Sequence, residues 1–206
     1  MNASISRAFL LDAATGQQVE AEVWDAIAEQ HLTDWEVHWQ PAMRGLLQRL
    51  RDTGVHRSLW PQSAHWNWRT KMDPFKGLLA DPSVSIVCQS VTQGLMIVKT
   101  LGQSRCPTQN SKSVVYVNFL EVAPWNQGTA LPEEPRYRGV GSLLLRAAIE
   151  LSRTEGSQGR IALHSLPQAD KWYRDYCRMT DLGLDTAYQG LRYFEMTPEQ
   201  ADAFSE

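Results

Sequence analysis

The chain has 206 residues, of which 43% are hydrophobic and 21% are charged, with 13 glycines and 10 prolines. This size and composition suit one globular domain over residues 1–206, and they exclude a disordered or low-complexity chain. A formal net charge of −3 argues against a protein that coats nucleic acid, so we expect no nucleic-acid partner.

Residues 7–13 favour a short first strand. After it, Val19, Val23 and Ile27 recur every four residues, which predicts an amphipathic helix over about 18–31.

A clearer helix is predicted from Pro41, which suits the first helical position, to Gly54, which suits the residue just past a helix end. The aromatic segment 55–76 that follows has no clean period. Two apolar runs over 84–99 predict a β-hairpin that turns at residues 92–94.

Residues 114–124 predict a strand that is apolar on both faces and therefore lies in the middle of a sheet. A further strand is expected at 159–165, followed by a helix after Pro167. Two short extended segments, 186–190 and 190–197, precede a short C-terminal helix. The order of elements predicts an α/β protein with helices on both sides of a mixed sheet.

The cysteines Cys88, Cys106 and Cys177 are widely spaced and form no C-x-x-C pair. They predict neither a disulfide framework nor a zinc cage, and no histidine pair has the spacing of metal ligands. The N-terminal residues 1–16 contain only a four-residue apolar run, too short for a secretion signal or a membrane span. We therefore expect a cytoplasmic protein without a metal or a membrane partner.

The stretch RYRGVGSLLLRAA, residues 136–148, lies between the central strand and a helix. A helix N-terminus presents unpaired N–H groups and a partial positive charge, which favours bound anions. Gly139 and Gly141 allow a phosphate to approach the backbone, while Arg136 and Arg138 add charged donors. We interpret this stretch as a cradle for a pyrophosphate.

Two common phosphate motifs do not fit the stretch. The dinucleotide fingerprint requires a third glycine where Leu144 stands, and the P-loop requires a lysine that is absent. The remaining pattern, R-x-x-G-x-G before a helix, resembles the acyl-CoA pyrophosphate motif of the GNAT superfamily of N-acetyltransferases. LEVAP at 120–124 and the segment 167–173 resemble further motifs of that family.

LEVAPWN, GRIALHSLPQA and YFEMT resemble a set of uncharacterised bacterial GNAT members more closely. Three departures from the family pattern stand out: the long loop 125–135, the longer link CRMTDLG, and Leu184 in place of a phenylalanine.

The resemblance implies a GNAT fold, with a mixed, mostly antiparallel sheet that splays in a V and carries helices on both faces. It implies transfer of an acetyl group from acetyl-CoA to a primary amine, directly within a ternary complex. Backbone groups of the central strand would pair with the pantetheine arm, and the following loop would hold the pyrophosphate. The implied CoA contacts are Leu120, Val122, Ala123, Arg136, Tyr137, Arg138, Gly139, Val140, Gly141 and Ser142.

An acetyl transfer to a protonated amine requires a base near the acceptor and an acid near the departing thiolate. Glu121 is the only charged residue in the strand 114–124, and apolar neighbours would raise its pKa, so it is the predicted base. Tyr173 occupies the family's tyrosine position and is the predicted acid, with Tyr176 as the alternative.

The acceptor side is predicted around His65, Trp66 and Trp68, because the family places this segment near the acceptor cleft and aromatic rings can enclose an amine. The alternative is a patch of tryptophans that only buries the loop. The expected acceptor is a small-molecule or peptide amine, and the protein is expected to be a monomer or a homodimer.

Two other functions stay open at this point. A GNAT-fold module could bind acyl-CoA as a sensor without turnover, and a nucleotide-binding fold could use NAD. An acyl-accepting Cys88 paired with His164 is disfavoured, because Cys88 lies in an apolar strand and is typical of a core cysteine.

Overall fold

The computed structural model describes residues 4–75, 82–128, 131 and 133–205. The strands are β1 Ile5–Asp12, β2 Gln18–Trp24, β3 Ser83–Cys88, β4 Val91–Gln103, β5 Ser113–Val122, β6 Tyr137–Arg138, β7 Ile161–Ser165, β8 Thr180–Asp185 and β9 Leu191–Met196. The α-helices are α1 Glu29–Asp34, α2 Gln40–Asp52, α3 Trp68–Met72, α4 Val140–Thr154 and α5 Pro198–Ser205.

The strands form a sheet in the order β6-β1-β2-β3-β4-β5-β7-β9-β8. The pairs β1–β2, β1–β6, β2–β3, β7–β9 and β8–β9 are antiparallel, whereas β5 and β7 run parallel from Val115–Ile161 to Val117–Leu163. The predicted mixed, mostly antiparallel sheet is therefore confirmed.

The chain divides into two compact units. The first comprises Met1–Gly77, Ser83–Met96 and Leu120–Leu144, and the second comprises Leu78–Pro82, Ile97–Phe119 and Leu145–Glu206. Strands β4 and β5 and helix α4 contribute residues to both units. Within the described residues, no helix is long and apolar enough to cross a membrane.

The prediction of a helix over 18–31 is wrong, because residues 18–24 form strand β2 and pair with β1. The sequence fits both periods here, since Val19, Ala21 and Val23 also alternate with exposed polar residues. The turn that connects β1 to β2 favours the strand over the helix. The carboxylate of Asp12 accepts the amides of Ala14 and Thr15 at 3.0 Å, which makes a tight reversal that closes a hairpin.

The predicted helix 41–53 is confirmed at its end, where Gly54 has φ +71, and is wrong at its start. The helical run begins at Glu29 and passes through a π-turn at Trp35–Trp39 before α2. In that turn the amide of Gln40 donates to the carbonyl of Trp35, five residues back. The π-turn shifts the backbone hydrogen-bond ladder of the helix by one residue. Pro41 lacks an N–H donor, but because of this shift it can lie inside the helical run.

The predicted hairpin over 84–99 is confirmed as β3 and β4, but it turns earlier than predicted. Gln89 and Ser90 have φ of 50° and 60°, the conformation of a two-residue turn that matches strand twist. Gly94 lies within β4 instead. A Cβ at Gly94 would approach Val140 Cγ1 to 2.9 Å and Leu144 Cδ1 to 3.0 Å, so the glycine lets the start of α4 pack against β4.

In the second unit, the predicted strand 159–165 and the last strand are confirmed as β7 and β9. The extended segment predicted at 186–190 is wrong, because β8 ends at Asp185 and a 3₁₀ turn at Thr186–Tyr188 follows. Asp185 causes the reversal, since its carboxylate accepts the amide of Ala187 and its carbonyl accepts the amide of Gly190, both at 2.9 Å. The predicted helix after Pro167 comprises a 3₁₀ turn and a π-turn at Trp172–Tyr176.

Candidate active site

Glu121 lies near the end of β5 and is only 6% exposed. The indole N–H of Trp68 donates to its Oε2 at 2.6 Å, and the side chains of Ser63 and Gln127 also bond to the carboxylate. Burial raises the pKa of Glu121 to about 7, although these hydrogen bonds oppose the rise. A carboxyl group with this pKa exchanges protons readily at neutral pH.

Two short local structures place these groups. Strand β5 ends at Val122, and Pro124 begins a 3₁₀ turn that carries the chain away from the sheet. Helix α3 begins after Asn67, whose side chain accepts the amide of Thr70 at 3.1 Å and so caps the helix. Trp68 is the first residue of that helix and is fully buried.

A cavity of about 290 Å³ opens at Glu121 within the first unit. Helix α2, the preceding π-turn and the segment before α3 supply most of its wall. Its lining residues are Trp35, Trp39, Gln40, Met43, Arg44, Leu47, Ser63, Ala64, His65, Trp66, Asn67, Glu121 and Pro124. We refer to it as the tryptophan-lined cavity.

The three residues predicted for the acceptor side have different surroundings. His65 and Trp66 line the tryptophan-lined cavity, with His65 exposed and Trp66 half-buried. Trp68 is not among the lining residues; it packs edge to face with Trp66, at 6.4 Å between ring centroids, and bonds to Glu121.

Sequence analysis did not single out Lys71, which lies on α3 one turn after Trp68. Its Nζ lies 4.1 Å from the centroid of the Trp66 ring, and the charge of Glu121 favours its protonated form. Burial is the stronger effect and lowers the pKa of Lys71 to about 8. The sequence gives one indication of this position, because Lys71 follows Trp68 by three residues in HWNWRTK and would lie on the same side of a helix. Trp35 and Trp39, four residues apart, were also missed.

The cradle predicted over residues 136–142 has an open helix N-terminus. Gly139 is exposed with φ +96, a conformation that favours glycine, and its carbonyl accepts the amide of Leu143 at 2.9 Å. This bond is the first of α4, so the amides of Val140, Gly141 and Ser142 precede the helical ladder. These amides can donate to an anion.

Both arginines of the cradle are exposed. Arg136 donates to the side chain of Gln89 at 3.0 Å, and its guanidinium lies 5.2 Å from the centroid of the Tyr137 ring. Arg138 pairs with Glu134, four residues earlier. Both side chains can therefore reach an anion at the surface, but Arg138 would have to leave a carboxylate to do so.

Three backbone groups among the predicted CoA contacts already have partners in the protein. The amide of Tyr137 donates to the side chain of Asn126 at 2.8 Å. The amide of Ala123 donates to the carbonyl of Gln93 at 2.8 Å, and the carbonyl of Val122 accepts the side chain of Gln127 at 2.9 Å. The amide of Tyr137 is thus already bonded, whereas the amides of Val140, Gly141 and Ser142 remain the candidate backbone donors of the cradle.

Tyr173 belongs to the second unit and is 7% exposed, in the π-turn after β7. Its ring packs against Trp172 at 4.9 Å and Phe194 at 5.9 Å between centroids. Burial raises the pKa of its hydroxyl, so the group stays protonated at neutral pH. Tyr176, the alternative acid, is 62% exposed.

Solved structures share this architecture over nearly the whole chain. The GNAT domain of S. lividans PAT aligns with a TM-score of 0.55 and 15% identity, covering 93% of this chain and 96% of that one. The chain has the fold of the GNAT acetyltransferases. A protein assigned to the GNAT family from Desulfovibrio desulfuricans aligns with a TM-score of 0.51 and 11% identity over 96% of this chain and 99% of that one.

An uncharacterised protein from Bacillus halodurans also aligns with this chain, with a TM-score of 0.54 and 8% identity over 97% of this chain and 94% of that one. No family model and no curated protein matches the chain. At such low identities the likeness shows the fold, and the chemistry has to be argued from the residues of this chain.

Proposed function

We propose that the protein is an N-acetyltransferase that moves an acetyl group from acetyl-CoA to a primary amine by direct transfer. The observation that carries the proposal is the position of Glu121, a buried carboxyl group with a pKa of about 7 in the wall of the tryptophan-lined cavity. Such a cavity can hold an amine against a base.

The chemistry requires a free lone pair on the acceptor. A primary amine with a pKa of about 10.4 is protonated at pH 7, and deprotonating it costs roughly 4.6 kcal/mol. Glu121 takes that proton, directly or through water, because a carboxyl group with a pKa of about 7 can accept a proton at neutral pH. The amine nitrogen then bonds to the acetyl carbonyl carbon and loses its second proton to solvent, while the bond from that carbon to sulfur breaks and sulfur leaves as the thiolate.

The departing thiolate needs a proton, and we assign this role to Tyr173. Its hydroxyl is protonated at neutral pH and lies in a buried setting. On the donor side, the amides of residues 140–142 and the guanidinium of Arg136 would hold the pyrophosphate of CoA. Gly139 supports this role, because its φ of +96 favours glycine and a glycine has no Cβ to collide with an approaching phosphate.

Thiol release from acetyl-CoA with a panel of primary amines tests the proposal. Wild type should release CoA only when an amine is present, and Glu121→Gln should lower the rate most near pH 7 and partly recover at high pH, where free amine is plentiful. Glu150→Gln, a change on the exposed side of α4, serves as the matched control and should behave as wild type.

The alternative is a sensor that binds acyl-CoA without turnover. Tight CoA binding with no amine-dependent thiol release would support the sensor and overturn the enzyme. Tyr173→Phe separates the acid from the base, because it should lower the rate at all pH values without changing the shape of the pH profile.

A further inference from the structure

The tryptophan-lined cavity has a strongly asymmetric lining. Its apolar wall comes from three indoles and four other nonpolar side chains: Trp35, Trp39, Trp66, Met43, Leu47, Ala64 and Pro124. Among its lining residues, Glu121 is the only acid and Arg44 is the only lysine or arginine. Glu121 is buried, whereas Arg44 is exposed, so the two charges occupy the inner and the outer part of one cavity.

We infer that the acceptor is a small amine with a single-ring or similar apolar body and an anionic group at the end opposite the amine. The amine would meet Glu121, the apolar body would lie against the indoles, and the anionic group would meet Arg44. This inference rests on the proposed function, since it takes the cavity to be the acceptor site.

The size and the polarity of the cavity limit the body of the acceptor. About 290 Å³ lies just below the range of roughly 300–1,000 Å³ for small-molecule pockets, so the cavity suits one ring rather than an oligosaccharide. Indole faces favour apolar or cationic groups and offer few hydrogen-bond partners to a polyhydroxylated ring. An aromatic or alkyl body fits both limits.

Arg44 sets the chemistry of the outer end. Among the described residues its only hydrogen bond is to Gln40 Oε1, at the long distance of 3.5 Å, and it makes no ion pair. Arg49, five residues further along α2, is by contrast paired with Glu133 at 3.1 Å. Arg44 therefore keeps its donors available for a carboxylate that enters the cavity.

The same two charges disfavour a dication. Glu121 can neutralise one ammonium group, and among the lining residues no second carboxylate is present for another. A second ammonium group at the outer end would face Arg44 and be repelled. The cavity thus discriminates between acceptors by the charge of the group that lies opposite the reacting amine.

Three probes that differ only at that end test the inference: 4-(aminomethyl)benzoate, benzylamine and 4-(aminomethyl)benzylamine. Calorimetric binding at pH 7 in the presence of CoA should give the order anionic, neutral, cationic for wild type. Arg44→Glu should reverse the order, with a change of about fivefold or more in the ratio of the two extreme affinities, since each exposed pair is worth up to ~1 kcal/mol. Arg51→Glu, a matched reversal on α2 outside the cavity lining, should leave the order unchanged.

Thiol release from acetyl-CoA, measured with the same proteins and the same three probes, separates this inference from the proposed function. The expected binding order without thiol release would support the recognition of the amine and overturn the enzyme. Thiol release with equal use of the three probes, or with the dication preferred, would overturn the inference and leave the enzyme standing. Absence of binding and of release for all three would overturn both.

Discussion

The indole N–H of Trp68 donates to Oε2 of Glu121 at 2.6 Å, and both side chains are buried. Two opposing effects act on that carboxyl group. Burial disfavours its charged form, whereas the hydrogen bond from Trp68 favours it. The balance leaves the pKa of Glu121 at about 7. The indole of Trp68 thus keeps the pKa of the candidate base lower than burial alone would set it.

Removing the indole donor should raise the pKa of Glu121 further. A hydrogen bond to a charged group is worth ~1.5–3 kcal/mol, so in Trp68→Phe we expect the acidic limb of the pH–rate profile to move up by about one unit or more. The pKa can also be measured directly by carbon NMR of the Glu121 carboxyl group, which needs no activity.

Trp60→Phe is the matched control for this change. The indole N–H of Trp60 donates to the carbonyl of Val55 at 2.9 Å, so this variant also loses one indole hydrogen bond, but away from Glu121. An equal loss of rate at every pH in Trp68→Phe, with the carboxyl pKa unmoved, would mean that Trp68 only fills space.

Glu121 should make the fold less stable as the pH rises. Its pKa is raised in the folded protein, so its stabilising contribution is complete below about pH 4.5 and is lost as the pH rises through about 7. The shift from 4.5 to about 7 corresponds to on the order of 3 kcal/mol. Glu121→Gln, which does not ionise, should therefore unfold at a higher urea concentration than wild type at pH 8. At pH 4 the two proteins should unfold at nearly the same urea concentration.

Urea unfolding of both proteins at several pH values measures this effect, with Glu150→Gln as the control for a carboxylate that is exposed. Parallel stability profiles of wild type and Glu121→Gln would show that Glu121 has an ordinary pKa. The role of a neutral-pH base would then have no support.

The helix-start donors can be tested without any assay of turnover. Gly141→Glu places bulk and negative charge at the amides of the cradle, and we expect CoA affinity to fall by ~100-fold or more. The fold should persist, since an acidic side chain in the first turn of a helix is favourable. Gly128→Glu adds the same group where a Cβ would meet nothing within 4 Å, and it should bind CoA as wild type. Retained CoA affinity in Gly141→Glu would remove the cradle from the donor site.

A series of hydrogen-bonded side chains in the second unit predicts that the fold loses stability at low pH. The hydroxyl of Tyr116 donates to Nδ1 of His164 at 2.7 Å, and Nε2 of His164 donates to Asp185 at 3.0 Å, because a carboxylate can only accept. Asp185 also pairs with Arg105, and these partners, Arg105 first, lower the pKa of Asp185 to about 2. Such a lowered pKa stabilises the fold above about pH 4 and ceases to do so as the pH falls to about 2.

Asp185→Asn should accordingly be less stable than wild type at pH 7, and the difference should shrink between about pH 4 and pH 2. Thermal unfolding across this range gives the measurement, with Asp175→Asn as the control at an exposed position. A constant difference at all pH values would assign the effect to packing rather than to the charge of Asp185.

The sequence predicted the parts of the site that depend on local pattern. Glu121 stands out as the one charge in an apolar strand, and Gly139 with φ +96 stands out as a break between a strand and a helix. Both signals come from neighbours along the chain. The GNAT fold was predicted from the resemblance of R-x-x-G-x-G and LEVAP to motifs of that family.

Other features depend on groups that are distant in sequence. Val19 and Val23 fit a helix and a strand equally, and only the turn made by Asp12 selects the strand. Trp66 and Trp68 have the same residue type, yet one lines the cavity and the other supports Glu121. Trp66 lies before α3 and Trp68 begins it, so no single periodicity relates the two side chains and their spacing alone does not place them.

The π-turn at Trp35–Trp39 carries one residue more than an α-helical turn of the same rise requires. Because the turn absorbs this extra residue, removing a single residue here would restore an ordinary α-helix without rotating the segment before it about the helix axis. The change would fall on the part of the cavity wall that the turn itself supplies, which includes Trp35 and Trp39. A one-residue deletion at this point is thus expected to alter acceptor choice while the helices on either side persist, and it offers a backbone route to altered specificity.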